Sequence, residues 1–256
     1  MVGLDVFREF FKEYYNCYIA IGGSACDDYF EGQGLEFRTT DDIDIILVVE
    51  AVDDSFITHF WKFVEQGGYK KAEHAEDIQY YRFSDPIKDQ FPSQIELFSR
   101  TPDLLKPIEE GRYTTIPANE DISSLSAILM DEEYYAFTKQ QSIVVDDFSR
   151  ANEIALICLK AKAYLDLSER RAKGEEVNRR KINKHRQDIF VLAATLTQGA
   201  STQLQKSVME DLRTFIEEME ANPPDIKQAL KNAKINTPIA PKTLLTQLRT
   251  TFNLND

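Results

Sequence analysis

Two aspartates open a strand that is otherwise apolar and β-branched: Thr40-Asp41-Asp42-Ile43-Asp44-Ile45 runs on into Ile46-Leu47-Val48-Val49. Strands normally avoid Asp. Asp42 and Asp44 lie two residues apart, and side chains alternate along a strand, so both carboxylates share one face while Ile43, Ile45 and Leu47 take the other. Charges on a largely buried strand cost desolvation energy unless they have something to hold, and hard, oxygen-seeking Mg²⁺ suits such a pair.

The surrounding pattern predicts an α+β chain. Apolar spacing gives a helix over residues 4–15, and Tyr18-Ile19-Ala20-Ile21 reads as a short strand that ends at Gly22-Gly23, with a helix starting at Ser24. Residues 43–49 form the acid-bearing strand, and residues 54–66 an amphipathic helix closed by Gly67-Gly68. Further strands are expected at 78–83, 94–98, 125–130 and 142–145, with Pro86, Pro92, Pro102, Pro107 and Pro117 in the loops between them. This is a mixed sheet flanked by helices. After about Ser149 the pattern turns helical, over 150–167, 184–196, 203–220 and 242–252, which predicts a C-terminal helical bundle. The expected division is 1–148 and 149–256.

At Ile21-Gly22-Gly23-Ser24-Ala25, Gly23 lacks the side chain that would keep phosphate oxygens from backbone N–H groups at a helix N-terminus, and Ser24 adds a hydroxyl. Glu96 interrupts another apolar strand, Gln94-Ile95-Glu96-Leu97-Phe98, and is the expected third acid beside Asp42 and Asp44. Phosphoryl transfer with two metal ions needs that much negative charge.

Composition narrows the classes. Of the 256 residues 43% are hydrophobic and 29% charged, ordinary for a globular chain, and no apolar run approaches the about 20 residues that cross a bilayer. Met1-Val2-Gly3-Leu4-Asp5 has no leader pattern, so a cytoplasmic place without membrane contact is expected. Cys17, Cys26 and Cys158 have neither disulfide-framework nor zinc spacing. His59 and His74 show no ligand pattern, and no Gly-x-Ser-x-Gly elbow, Walker loop or dinucleotide fingerprint is present. The net charge of −13 argues against broad nucleic-acid binding, with one exception. Between Arg170 and Arg186 eight basic residues face only Glu175 and Glu176. That stretch reads either as an exposed arm for RNA or as a solvated hairpin between helices.

The glycine turn, the Asp-x-Asp strand and the third acid together resemble the DNA polymerase β-like nucleotidyltransferases over residues 15–100, with Gly23-Ser24, Asp42-Ile43-Asp44 and Glu96 at the signature positions. The chain looks most like the AbiEii-type members, through Leu159-Lys160-Ala161-Lys162-Ala163-Tyr164 and Lys184-His185-Arg186-Gln187-Asp188. That resemblance implies Asp42, Asp44 and Glu96 as catalytic and metal-holding residues for Mg²⁺ or Mn²⁺. It further implies Gly23, Ser24, Lys160 or Lys162, and Asp188 around a nucleoside triphosphate. Lys160 and Lys162 lie two apart on a helix, so one of them reaches the cleft. Transfer of a nucleoside monophosphate to tRNA or another RNA, and a cognate antitoxin as partner, follow from the same likeness. A small-molecule or protein acceptor, and a catalytically silent nucleotide-binding module, are the alternatives. Two departures stand out: the gap from Ser24 to Asp42 and the stretch 168–183 are both longer than the family's pattern.

Overall fold

The structure is a computed structural model and describes residues 1–75, 80–100, 114–115 and 131–254. In chain order, α1 (Leu4–Phe11) runs into a 3-10 turn (Lys12–Cys17), followed by β1 (Tyr18–Ile21), α2 (Gly22–Gly32), β2 (Asp42–Leu47) and α3 (Asp54–Gly67). Then come β3 (Lys71–Ala75), β4 (Tyr80–Ser84), β5 (Gln94–Phe98), β6 (Thr114–Thr115), α4 (Glu132–Gln140), β7 (Ser142–Val145) and β8 (Phe148–Ala151). The remaining elements are helical: α5 (Glu153–Ala172), α6 (Arg179–Ala193), α7 (Lys206–Ala221), α8 (Lys227–Asn232) and α9 (Pro241–Thr251).

The strands form one mixed sheet in the order β6-β3-β4-β5-β2-β1-β8-β7. β2 lies antiparallel to β1 and parallel to β5, which is antiparallel to β4. Register partners project on the same side of a sheet. Tyr18, Leu47, Ile43, Ile95 and Phe83 therefore share one face, where α1 and α3 cover them. Phe7 of α1 meets Tyr18 edge-on at 5.3 Å, and Phe60 and Trp61 of α3 meet Phe83 at 5.3 and 5.6 Å. Such aromatic pairs add about 0.5–1.5 kcal/mol each beyond the area they bury. Helix α3 forms where Asp53 caps it, its carboxylate accepting from the Phe56 N–H at 2.8 Å, and it ends at Gly68 in the left-handed region.

The opposite face carries the row Ile21, Asp44, Glu96 and Arg82 across β1, β2, β5 and β4. Helix α2 packs against β1, β2 and α5. Helix α5, largely buried along Ile154–Leu159, packs in turn on α6 and α7.

Several expectations need correction. The first helix stops at Phe11, and the chain tightens into a 3-10 turn kinked at Tyr14. The second helix begins at Gly22 rather than Ser24. Residues 150–151, expected as helix, belong to β8: Arg150 is buried there because Asp28 pairs with it, so a charged side chain masks the strand pattern. The stretch 168–183 is not an arm but the solvated hairpin between helices: α5 runs on to Ala172, α6 starts at Arg179, capped by Asn178, and the residues between are largely exposed. Helices α4 and α8 and strands β3, β6 and β8 were not expected. The expected strand at 125–130 and residues 78–79 lie outside the described residues. Among the described residues, no helix is long and apolar enough to cross a membrane.

Candidate active site

Asp44 and Glu96 stand opposite each other on the parallel strands β2 and β5, so their carboxyl groups project side by side from one face. The carboxyl of Asp44 is held well above its ordinary pKa by desolvation and by the charges of Glu96 and Asp42. Asp42, half-buried on the same face, is also raised, by desolvation and by Glu96, against the pull of Lys184. The Lys160 ammonium acts on Asp44 in the same sense as Lys184 on Asp42. Both lysines come from the helical half of the chain.

Glu96 is buried and fixed. Its Oε1 accepts from the Tyr80 hydroxyl at 2.5 Å and from Gln94 Nε2 at 2.8 Å, and Arg82 Nε lies 3.4 Å away. Arg82 Nε also donates to the Tyr80 oxygen at 3.0 Å, so the three side chains brace one another. Desolvation and the Glu96 charge push the Tyr80 hydroxyl far above the usual tyrosine range, which keeps it a donor.

The glycine turn closes on these acids. Gly22 has φ +63°, and a Cβ there would collide with Asp44 Oδ2; a Cβ on Gly23 would collide with Thr40 Oγ1. Only glycine permits strand β2 to lie so near the start of α2. The first N–H groups of α2 have no side-chain cap. Ser24 is fully buried, and its hydroxyl donates to the Ile21 carbonyl at 3.2 Å.

Lys160, Asp188 and Arg38 form a second cluster beside the first. Lys160 Nζ lies 2.8 Å from Asp188 Oδ2, and both groups are almost wholly buried. Arg38, from the segment between α2 and β2, grips Asp188 with two parallel bonds of 2.9 Å, Nε to Oδ1 and a terminal nitrogen to Oδ2. Burial pulls the Lys160 pKa down, but Asp188 outweighs it and holds the ammonium above its ordinary range. Burial raises Asp188, yet Lys160 and Arg38 hold it below the ordinary carboxylate range. His185 is pushed down to about 3 by burial among Lys160, Arg38 and Lys184, so its imidazole is neutral at neutral pH.

Of the residues singled out in the sequence, Gly23, Asp42, Asp44, Glu96, Lys160 and Asp188 therefore come together. Lys162 does not: its ammonium pairs with Asp211 at 3.0 Å, toward α7. Ser24 lies at the site with its hydroxyl turned back on its own turn. Sequence reasoning passed over Arg38, Thr40, Tyr80, Arg82 and Gln94. Arg82 had one legible signal, a charge inside an aromatic strand; Arg38 had none, since only the fold brings it to Asp188, 150 residues on.

By donor chemistry the three acids suit a hard divalent cation, and the crowding of Asp44 against Glu96 is a repulsion that a cation would relieve. By geometry they are not a finished cage, since among the described residues no three His, Cys, Asp or Glu side chains converge as a metal-holding group. Compared with protein-family models, with curated proteins and with solved structures, the chain matches none of them.

Proposed function

We propose that this chain is a nucleotidyltransferase of the polymerase β-like arrangement followed by a helical bundle, which transfers a nucleoside monophosphate from a nucleoside triphosphate to an acceptor hydroxyl. The observation that carries the reading is the register of Asp44 with Glu96 directly beside the Gly22-Gly23 turn. Asp42, Asp44 and Glu96 would hold Mg²⁺ or Mn²⁺, and such an ion, when bound, supplies charge neutralisation and orientation of the phosphates.

The chain's own groups account for the rest. The uncapped N-terminus of α2, approached across Gly23, binds phosphate oxygens through backbone N–H groups. Arg38 and Asp188 hold the Lys160 ammonium in place, and with Lys184 it neutralises charge on the leaving group. The acceptor oxygen bonds to the α-phosphorus as the bond from that phosphorus to the bridging oxygen breaks, pyrophosphate leaves, and the acceptor proton passes to Glu96. Positioning and charge neutralisation supply most of the rate in such transfers.

An RNA acceptor, tRNA first, is favoured by one observation: Arg179, Arg180 and Lys181 are exposed on the first turn of α6, the helix that also carries Lys184 and Asp188. A role as the toxin of an antitoxin-controlled or phage-defence pair belongs to the same reading. Transfer to a small molecule or protein predicts indifference to that patch, and a silent module predicts binding without turnover. The test is release of pyrophosphate and movement of α-phosphate label from each of the four triphosphates, with Mg²⁺ and total tRNA. Label on RNA, lost when Arg179, Arg180 and Lys181 are changed to Glu, supports the RNA acceptor. Nucleotide binding with no pyrophosphate from any triphosphate or acceptor contradicts the transferase.

A further inference from the structure

Strand β7 closes one end of the sheet, and among the described residues no strand pairs with its outer edge. It carries Ile143, Val144 and Val145, which are 38%, 51% and 38% exposed, so both faces of the strand present apolar, β-branched side chains. An edge strand of this kind is normally blunted by charge, proline or a bulge, and here none of these interrupts the four residues. The strand is rigidly presented, because Asp146 and Asp147, both at positive φ, make the tight two-residue turn that joins it to β8.

The hydrogen-bond phase of β7 can be read off. Asn152 N–H donates to the Gln141 carbonyl at 2.8 Å, and residues of one strand alternate between bonding inward and outward, so Gln141, Ile143 and Val145 bond toward β8. Ser142 and Val144 then turn their N–H and C=O groups to the free edge. We infer that this edge pairs with the same strand of a second copy of the chain, antiparallel across a twofold axis at Ile143.

The phase and the charges select that occupant and that register. The phase admits antiparallel self-pairings with the twofold axis at Ser142, Ile143 or Val144; of these, the axis at Ile143, with Ser142 opposite Val144, is the one that brings position 139 of one copy across from Asp147 of the other. The end that carries Asp146 and Asp147 in one copy then meets the end that carries Lys139 in the other, whose ammonium pairs with Glu50 at 3.1 Å and, 43% exposed, has room for a second carboxylate. A parallel pairing stacks the aspartates on one another. Ile143 meeting Ile143 is a pair without mutual backbone bonds, the closely spaced kind, with Cα atoms about 4.5 Å apart.

Two substitutions test this on the full chain. Ile143→Cys places two thiols across the axis at a separation a disulfide spans, whereas Val145→Cys places its thiols apart; Cys17, Cys26 and Cys158 are buried and do not compete. Mild oxidation should link Ile143→Cys into a covalent dimer and leave Val145→Cys and wild type unlinked. Val144→Pro removes only an outward N–H, so it should leave β8 paired and abolish association. Sedimentation of wild type should give a mass that rises toward twice that of one chain with concentration, and Val144→Pro should stay at one, with unchanged circular dichroism. A wild type that stays monomeric to high concentration, as for an edge that receives a peptide of another protein, overturns the inference. So does a dimer that survives Val144→Pro and leaves Ile143→Cys unlinked.

Discussion

Asp44 on β2 and Glu96 on β5 meet in register across two parallel strands, so their side chains project as neighbours from one face of the sheet. Desolvation and the charges of Glu96 and Asp42 hold the Asp44 carboxyl well above the ordinary Asp range, so it keeps its proton to a higher pH than an isolated Asp does. A divalent cation bound at the acids would offset the same repulsion.

Stability should therefore depend on pH through Asp44 when chelator keeps divalent cations away. Its folded-state pKa lies above the unfolded 3.8, so its contribution is fully present below the ordinary Asp value and is lost as pH rises through the folded value. Asp44→Asn has no proton to lose. The variant's melting temperature should exceed wild type by a margin that grows with pH, on the order of several degrees at neutrality. A margin that shrinks toward neutral pH contradicts the buried repulsion.

Asp188→Ala should be among the most destabilising changes in the chain, about 3–5 kcal/mol in denaturant unfolding, because it strands the buried Lys160 ammonium beside Arg38. Arg38→Ala should cost distinctly less, since its side chain is 28% exposed and water replaces part of what it loses. Equal costs would show that Lys160 is not held by Asp188 in the way described.

Gly22→Ala and Gly34→Ala compare two glycines at nearly the same positive φ, +63° and +68°. Both should lose about 1–2 kcal/mol to the left-handed backbone. Gly22→Ala should lose more, because its new Cβ collides with Asp44, whereas the space around Gly34 is open. Thermal melts of the two variants decide it.

Tyr80→Phe removes one donor from Glu96 and should lower kcat about tenfold to a hundredfold with KM for the triphosphate little changed. Lys162→Ala should leave kcat near wild type, since that ammonium pairs with Asp211 instead of Asp188. A Lys162→Ala protein that loses as much kcat as Tyr80→Phe would contradict the placement of Lys162 away from the acids.

Much of this was legible in the chain itself. The strands at 18–21, 94–98 and 142–145, helix α3 to within one residue, and the shared face of Asp42 and Asp44 follow from period-two alternation and turn residues. What was hidden needed partners distant in sequence. Arg150 looks helical until Asp28 neutralises it in β8, and Arg38 looks like a loop cation until Asp188 arrives. Glu96 could be picked out as an odd acid, but its bracing by Tyr80, Arg82 and Gln94 depends on strand register, which one strand alone does not specify. The choice between Lys160 and Lys162 likewise waited on the packing of α5 against α6 and α7.

The most direct measurement is pyrophosphate release by Asp44→Asn against wild type, at equal concentrations of folded protein, with Mg²⁺, each nucleoside triphosphate and tRNA. Nucleotidyl transfer at this site requires a wild type that releases pyrophosphate and an Asp44→Asn protein that is folded, at least as stable, and inactive. Equal release by both would mean that whatever chemistry the chain performs is done elsewhere than at the paired acids of β2 and β5.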